Sequence, residues 1–241
     1  MTAARLAGER AVVSGAASGI GAACVDALRA DGASVVGMDL HGDGDILAVD
    51  VAREEQVVEA IARVTERLGG APTIVVCAAG VYPVAALSDM PTSDWDRTLA
   101  TNLTGAMNCA RHGVAAARQD GHGAAVVLVT SIGAVRSDWL EPSAAYCASK
   151  AALDSLVRSM AGEWAASGVR VNGVAPGLID TPMLRTMDDP TAGAAKIKDR
   201  IPLGRLGTAA EIASVVRFLV SAEASYVTGT TVTVDGGYLV R

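Results

Sequence analysis

Seven short runs of small and branched apolar residues, spread along the whole chain, most restrict what this sequence can fold into. They read "RAVVSG" (10–15), "ASVVGMD" (33–39), "DILAVDV" (45–51), "TIVVCAAG" (73–80), "AAVVLVTS" (124–131), "VRVNGVAPG" (169–177) and "TTVTVDGG" (230–237). Several are continuous rather than alternating, the pattern of strands covered on both faces of a parallel sheet. Between them lie longer alanine-rich stretches with helical periodicity, about 20–31, 54–68, 93–118, 143–167 and 208–221. This alternation predicts an α/β protein with a doubly wound parallel sheet, helices on both faces, and ligand sites beyond the strand C-termini. Linkers and repeats are absent from 1–241, so one domain is expected. Only "LHGDG" separates the second strand from the third, too little for a crossover helix, so a tight loop belongs there.

Composition removes several classes of function. Hydrophobic residues make up 51% of the 241 positions and aromatics only 3%, so the core must be built from Ala, Val, Leu and Ile. The net charge of −6 disfavours binding to a phosphate backbone, and no basic cluster rescues a nucleic-acid reading. Cys24, Cys77, Cys109 and Cys147 are scattered, as are His41, His112 and His122, so no metal site is expected. Free thiols and the lack of a signal-peptide core suggest a soluble cytoplasmic protein. The uncharged stretch 68–88 is broken by glycines and prolines and reads as strand plus loop, not as a membrane span.

Two stretches carry chemistry. "SGAASGIG" (14–21) follows a strand and opens a helix, so its glycines let backbone approach a pyrophosphate while the helix N-terminus supplies N–H groups and positive potential. The spacing is G-x-x-x-G-x-G, and Cys24 stands where the stricter fingerprint has its third glycine. Asp39 ends the next strand, where a carboxylate can bond a ribose and repel a 2′-phosphate, which predicts NAD rather than NADP. The other stretch is "AAYCASKAALDSL" (144–156), which puts Tyr146 and Lys150 on one helix face. A tyrosine with its ordinary pKa of about 10 is a poor base near neutrality, and lowering it to about 7 takes roughly 4 kcal/mol. One cation about 4 Å away supplies about that much at an effective dielectric of 20. Lys150 is therefore expected to make Tyr146 an acid/base.

With these motifs in order from Gly15 to Gly237, the chain resembles the short-chain dehydrogenase/reductases. The resemblance implies a single-domain Rossmann-type sheet of seven parallel strands, with a cofactor half at about 1–130 and the catalytic helix, substrate lid and last strand at about 131–241. It implies that Ser131 holds the reacting oxygen, that Tyr146 is the acid/base, that Lys150 binds the nicotinamide ribose, and that Asn102 helps anchor a relay water. It implies NAD contacts from Gly15, Ser18, Gly19, Ile20 and Gly21, from Asp39 and Leu40, from Asp50 and Val51, and from Ala78, Ala79 and Gly80. The nicotinamide is then embraced by Pro176, Gly177, Ile179 and Thr181. Departures are few. Ser14 replaces a usual threonine, "CAAG" replaces N-N-A-G, and Ser131 precedes Tyr146 by 15 positions where 13 is commoner, so Thr130 competes with Ser131 for that role.

The expected reaction is NAD-dependent interconversion of a secondary alcohol and a ketone, both small molecules. Substrate walls are expected from Val81 and Tyr82, from "VRSDWLE" (135–141), and from a lid near 183–203, with Ser143 a further contact. Trp139, Leu140, Met183, Leu184 and Met187 favour an apolar or cyclic alcohol or serve as packing; Arg136, Asp138 and Glu141 instead suit a polyol. Two alternatives stand beside this: a 3-oxoacyl-carrier-protein reductase, and an inactive dinucleotide-binding regulator. The resemblance also implies a homotetramer, to which "GVAAA" (113–117) and the helix carrying Tyr146 offer small-residue faces, unless these simply pack on the sheet.

Overall fold

The computed structural model describes residues 4–137, 142–185 and 200–241. The seven apolar runs become β1 (Arg10–Ser14), β2 (Ser34–Asp39), β3 (Ile46–Ala48), β4 (Ile74–Cys77), β5 (Ala125–Val129), β6 (Arg170–Pro176) and β9 (Thr231–Val234). They form one sheet of order β3-β2-β1-β4-β5-β6-β9, and every neighbouring pair is parallel. Two further strands of two residues each, β7 (Ile179–Asp180) and β8 (Gly207–Thr208), pair with each other beyond the end of β6. Nothing in their composition marks them as strands.

Alternate strand residues feed two cores. Val12, Val75, Val126 and Leu128 point to one face, where α2 (Glu54–Leu68), α4 (Ala106–Gln119) and α5 (Ala144–Trp164) cover them. Val13, Val35, Ile74, Val76 and Val127 point to the other, under α1 (Gly19–Ala30) and α7 (Ala209–Val220). Cys24, Val25 and Leu28 of α1 and Ile212, Ala213, Val216 and Leu219 of α7 share that core at helical spacing. A four-residue helix, α6 (Pro182–Arg185), follows β7. The Asp39–Ile46 connection holds no helix, as its length requires.

The long helix expected over 93–118 is interrupted. α3 (Thr92–Leu99) passes through a π-helical turn, Ala100–Gly105, into α4, with helical dihedrals at both junctions. The turn lies against the loop after β3, where a Cβ on Gly105 would fall 2.6 Å from Val51 Cγ2. Of the two uses open to the small-residue stretch 113–117, packing on the sheet takes Gly113, Val114 and Ala117, which are buried, and Ala115 is exposed. On α5 the exposed small residues do form a stripe, Ala148, Ala151, Ser155, Ser159 and Gly162.

α7 packs beside α1 on the same face of the sheet, and its own start is fixed by a capping box. Thr208 Oγ1 accepts from Glu211 N–H at 3.2 Å, while Glu211 Oε2 accepts from Thr208 N–H at 2.8 Å. Thr208→Ala is expected to cost about 1 kcal/mol and to lower Tm by about 2–4 °C. Differential scanning calorimetry checks this, and nucleotide binding should stay unchanged.

Candidate active site

β1 and β4 lie side by side, yet the chain leaves them towards opposite flanks of the sheet, which opens a crevice at their C-terminal ends. Ser14 stitches these ends together: its Oγ accepts from the N–H groups of Ala78 and Ala79 at 3.2 and 3.4 Å. Gly15 follows with φ of +70°, and a Cβ there would lie 2.7 Å from Ala79 N. A Cβ on Gly21 would lie 1.9 Å from the Gly15 carbonyl oxygen, so α1 meets the loop backbone to backbone. Ser18, which precedes α1, makes no side-chain cap. A backbone cradle at a helix start left uncapped by side chain fits a pyrophosphate.

The remaining nucleotide-side residues surround the same opening. Asp39 Oδ2 accepts from Ala17 N–H at 3.0 Å and Oδ1 from His41 N–H at 3.3 Å, which fixes the carboxylate beside the glycine turn. Asp50 Oδ1 accepts from Ala52 N–H at 3.0 Å, and its own N–H donates to Gln56 Oε1 at 2.8 Å. Asp39, Leu40, Asp50, Val51 and Ala78–Gly80 line an open cleft of about 900 Å³ with Gly15 and the start of α1. A second cleft, of about 1050 Å³, shares Ile20, Ala78, Gly80, Thr181 and Met183 with the first.

That second cleft contains the phenol and the amine. Tyr146 and Lys150 stand one turn apart on α5, and Ser131 follows β5. Ser131 lines the cleft together with Tyr146, and its Oγ accepts from Gly133 N–H at 3.0 Å. Thr130 is committed elsewhere, since its buried hydroxyl donates to the Val174 carbonyl at 3.0 Å. Lys150 Nζ is buried, donates to the Val129 carbonyl at 2.7 Å, and lies 5.6 Å from the centre of the Tyr146 ring. Tyr82 meets that ring edge-on at 4.7 Å.

Asn102 sits on the π turn, fully buried behind the cleft. Its amide closes a two-way bond with the backbone of Val81: Oδ1 accepts from the N–H at 2.8 Å, and Nδ2 donates to the carbonyl at 3.0 Å. Nδ2 also donates to Ser149 Oγ at 3.0 Å, and Ser149 in turn donates to the Tyr146 carbonyl at 2.7 Å. One side chain thus ties the end of the β4 crevice to the helix that carries the phenol. Ser149 was not expected; a buried polar residue next to Lys150 in an alanine-rich helix was its only signal. Ile132, Leu178 and Tyr238 also line the second cleft, and nothing local in sequence brings residue 238 there.

The electrostatics differ from the expectation in one respect. Burial holds Tyr146 above its ordinary value, partly offset by the Ser131 hydroxyl, and Lys150 is not among the groups that lower it. Burial also pushes Lys150 down to about 8, against a smaller opposing effect of Cys77. The ammonium donates to the Val129 carbonyl and lies 5.6 Å from the centre of the phenol ring.

Most of the expected residues converge. Pro176, Gly177, Ile179, Thr181, Met183 and Ser143 line the second cleft, with Ser143 Oγ 3.6 Å from Cys147 Sγ. Val81 does not: it lines the nucleotide side, where Asn102 holds its backbone. Trp139, Leu140, Asp138, Glu141 and Met187, with most of the expected lid, lie outside the described residues. Among the described residues no group of His, Cys, Asp and Glu is placed to hold a metal, and no helix is long and apolar enough to cross a membrane.

Comparison with known proteins agrees with this geometry. Residues 15–239 match the family model described as enoyl-(acyl carrier protein) reductase. Over 95% of both chains, the protein is 37% identical to the cis-4-hydroxycyclohexanecarboxylate dehydrogenase of Sinomonas cyclohexanicum. It is 33% identical to a 3-oxoacyl-[acyl-carrier-protein] reductase of Thermotoga maritima, covering 98% of this chain and 100% of that one. It is 41% identical to an uncharacterized short-chain type dehydrogenase/reductase of Sinorhizobium fredii, of which it spans 43% while 95% of this chain is covered. The structure of a short-chain type dehydrogenase/reductase from Mycobacterium marinum superposes with a TM-score of 0.93 at 33% identity, over 99% of this chain and 98% of that one. The chain belongs to the short-chain dehydrogenase/reductase family. It is an oxidoreductase, and its family uses nicotinamide dinucleotides.

The buried Lys150 gives the cofactor-free protein a pH signature. Below pH 8 the ammonium is charged in both folded and unfolded states, so its burial penalty is fully present. Between the folded value of about 8 and the ordinary 10.5, the unfolded chain binds more protons, and stability rises with pH. From pH 7.5 to 9.5 the wild type is expected to gain about 2 kcal/mol relative to Lys150→Met. Urea unfolding of both proteins at each pH measures the difference; parallel curves would refute the buried charge.

Proposed function

We propose that this protein is an NAD-dependent dehydrogenase interconverting a secondary alcohol and a ketone, with Ser131, Tyr146, Lys150 and Asn102 as its working set. The observation that carries the reading is the meeting of Tyr146, Ser131 and Lys150 in a cleft continuous with the glycine cradle. When bound, oxidised nicotinamide supplies the hydride acceptor and a positive charge beside the phenol. Tyr146 Oη takes the proton of the substrate hydroxyl, while Ser131 Oγ holds the same oxygen as charge develops on it. Lys150 reaches a ribose from its position beside Val129, and the Asn102–Ser149 bonds hold Tyr146 in place. In the ligand-free protein the raised phenol disfavours the basic form, so oxidation of the alcohol gains from rising pH and the reverse reaction loses.

Asp39 supports NAD. It faces the nucleotide cleft with Asp50, and among the described lining residues there is no Lys or Arg to receive a 2′-phosphate. That absence also weighs against reading the chain as a reductase of carrier-bound acyl groups, although relatives of that name exist. The dehydrogenase relative named for a cyclic alcohol weighs towards an alcohol substrate. We extend the reading to a homotetramer on the exposed α5 stripe, which light scattering of the eluted protein tests.

Absorbance at 340 nm with NAD⁺ and a panel of secondary alcohols tests the reaction. Tyr146→Phe should lower kcat at least about a hundredfold, and near-normal turnover would sink the assignment. Asp39→Ser should raise the kcat/KM ratio of NADP⁺ to NAD⁺ at least about tenfold by removing like-charge repulsion. An unchanged ratio would remove Asp39 from cofactor selection.

A further inference from the structure

The protein is acidic overall, with a net charge of −6, yet the described lining of its second cleft is not. Among the described residues that line it, the charged side chains are Arg136 and Lys150, and no Asp or Glu is present. Lys150 lies deep and is bonded to the Val129 carbonyl. Arg136 is exposed at the mouth, on the backbone just past Ser131, where its N–H donates to the Ile132 carbonyl at 3.0 Å.

The Arg136 guanidinium is held in a fixed plane. Its centre lies 4.9 Å from the centroid of the buried Tyr238 ring. Nη1 donates to the main-chain oxygens of Tyr238 and Arg241, both at 3.1 Å, which uses both of its hydrogens. The opposite edge, Nε and Nη2, meets no acceptor among the described residues. Two parallel N–H groups on a rigid plane match the two oxygens of a carboxylate. A single such cation balances a monoanion. The same cleft is lined by Ile132, Leu178 and Leu184, which suit a hydrocarbon ring or chain.

We propose that Arg136 is the receptor for a substrate carboxylate, so that the alcohol is an acid: a secondary hydroxyl at Tyr146 joined by an apolar ring or chain to a carboxylate at Arg136. This rests on the dehydrogenase reading for the hydroxyl end, and on Arg136 alone for the acid end.

Calorimetric titration of the protein in the presence of NADH compares cyclohexanecarboxylate with the neutral, nearly isosteric cyclohexanecarboxamide. The carboxylate should bind at least about tenfold tighter, as a charge-assisted pair implies, and the preference should shrink as salt is added. Arg136→Gln should abolish the preference and leave NADH affinity unaltered. Equal binding of the two probes to the wild type, or a preference that survives Arg136→Gln, would overturn the proposal; the wild-type comparison needs no variant to fold. Turnover of cyclic alcohols with and without a carboxylate is measured in parallel. Carboxylate binding through Arg136 without any Tyr146-dependent oxidation would overturn the dehydrogenase reading and leave the receptor standing.

Discussion

The contact between the ends of β1 and β4 sets the terms for everything around it. Gly15 has no room for a side chain against Ala79, and Gly21 has none against Gly15. Backbone therefore approaches backbone, and the N–H groups at the start of α1 look into a crevice that no side chain fills. The strand ends need a brace there, and Ser14 supplies it with one hydroxyl oxygen that accepts from two successive N–H groups. Where a side-chain amide would brace a sheet from position 77 or 78, this chain has Cys77 and Ala78, and the buried Cys77 thiol donates to the Ala106 carbonyl of α4 at 3.5 Å instead. The crevice is kept by hydrogen bonds within the backbone layer, and it stays open for that reason.

The reacting groups are positioned from this crevice outwards. Asn102 spans from the Val81 backbone to Ser149, and Ser149 reaches the Tyr146 carbonyl. A buried amide with its acceptor and both donors engaged loses heavily if any bond fails, because each orphaned group is desolvated. The network sits on the π turn that joins α3 to α4, and Asn102 is the residue of that turn that meets Val81. Lys150 obeys the same rule. Its ammonium lies among apolar strand ends, and the Val129 carbonyl is the group that makes that position tolerable.

How much of this was legible in the sequence depended on how local the signal was. Short apolar runs identify all seven sheet strands, most clearly the central ones, where burial on both faces leaves little alternative composition. The glycine turn, Asp39, Tyr146 and Lys150 were readable because each sits at a strand end or on one helix turn. Ser131 was distinguishable from Thr130 only once the sheet showed which hydroxyl faced Val174. The π turn was not readable, since its register depends on a bond to residue 81, about 20 positions away. Burial was not readable from spacing either: without cofactor it holds Tyr146 above its ordinary value, a contribution that the four-residue spacing to Lys150 does not reveal. Val81 was placed on the substrate side because sequence shows that it follows the strand, not which way the chain turns after Gly80.

Tyr238 lines the reacting cleft and stands 102 positions from Arg136, whose guanidinium it carries. The anion cradle likewise depends on α1, and α1 is packed by α7, nearly two hundred positions later. Synthesis proceeds from the N-terminus, so β1 through β5 can assemble while the last strand is still being made. The two clefts therefore mature late. A nascent chain holding both Tyr146 and Lys150 has its reacting side chains well before it has a cleft to confine a substrate, because Tyr238 joins that cleft from far downstream.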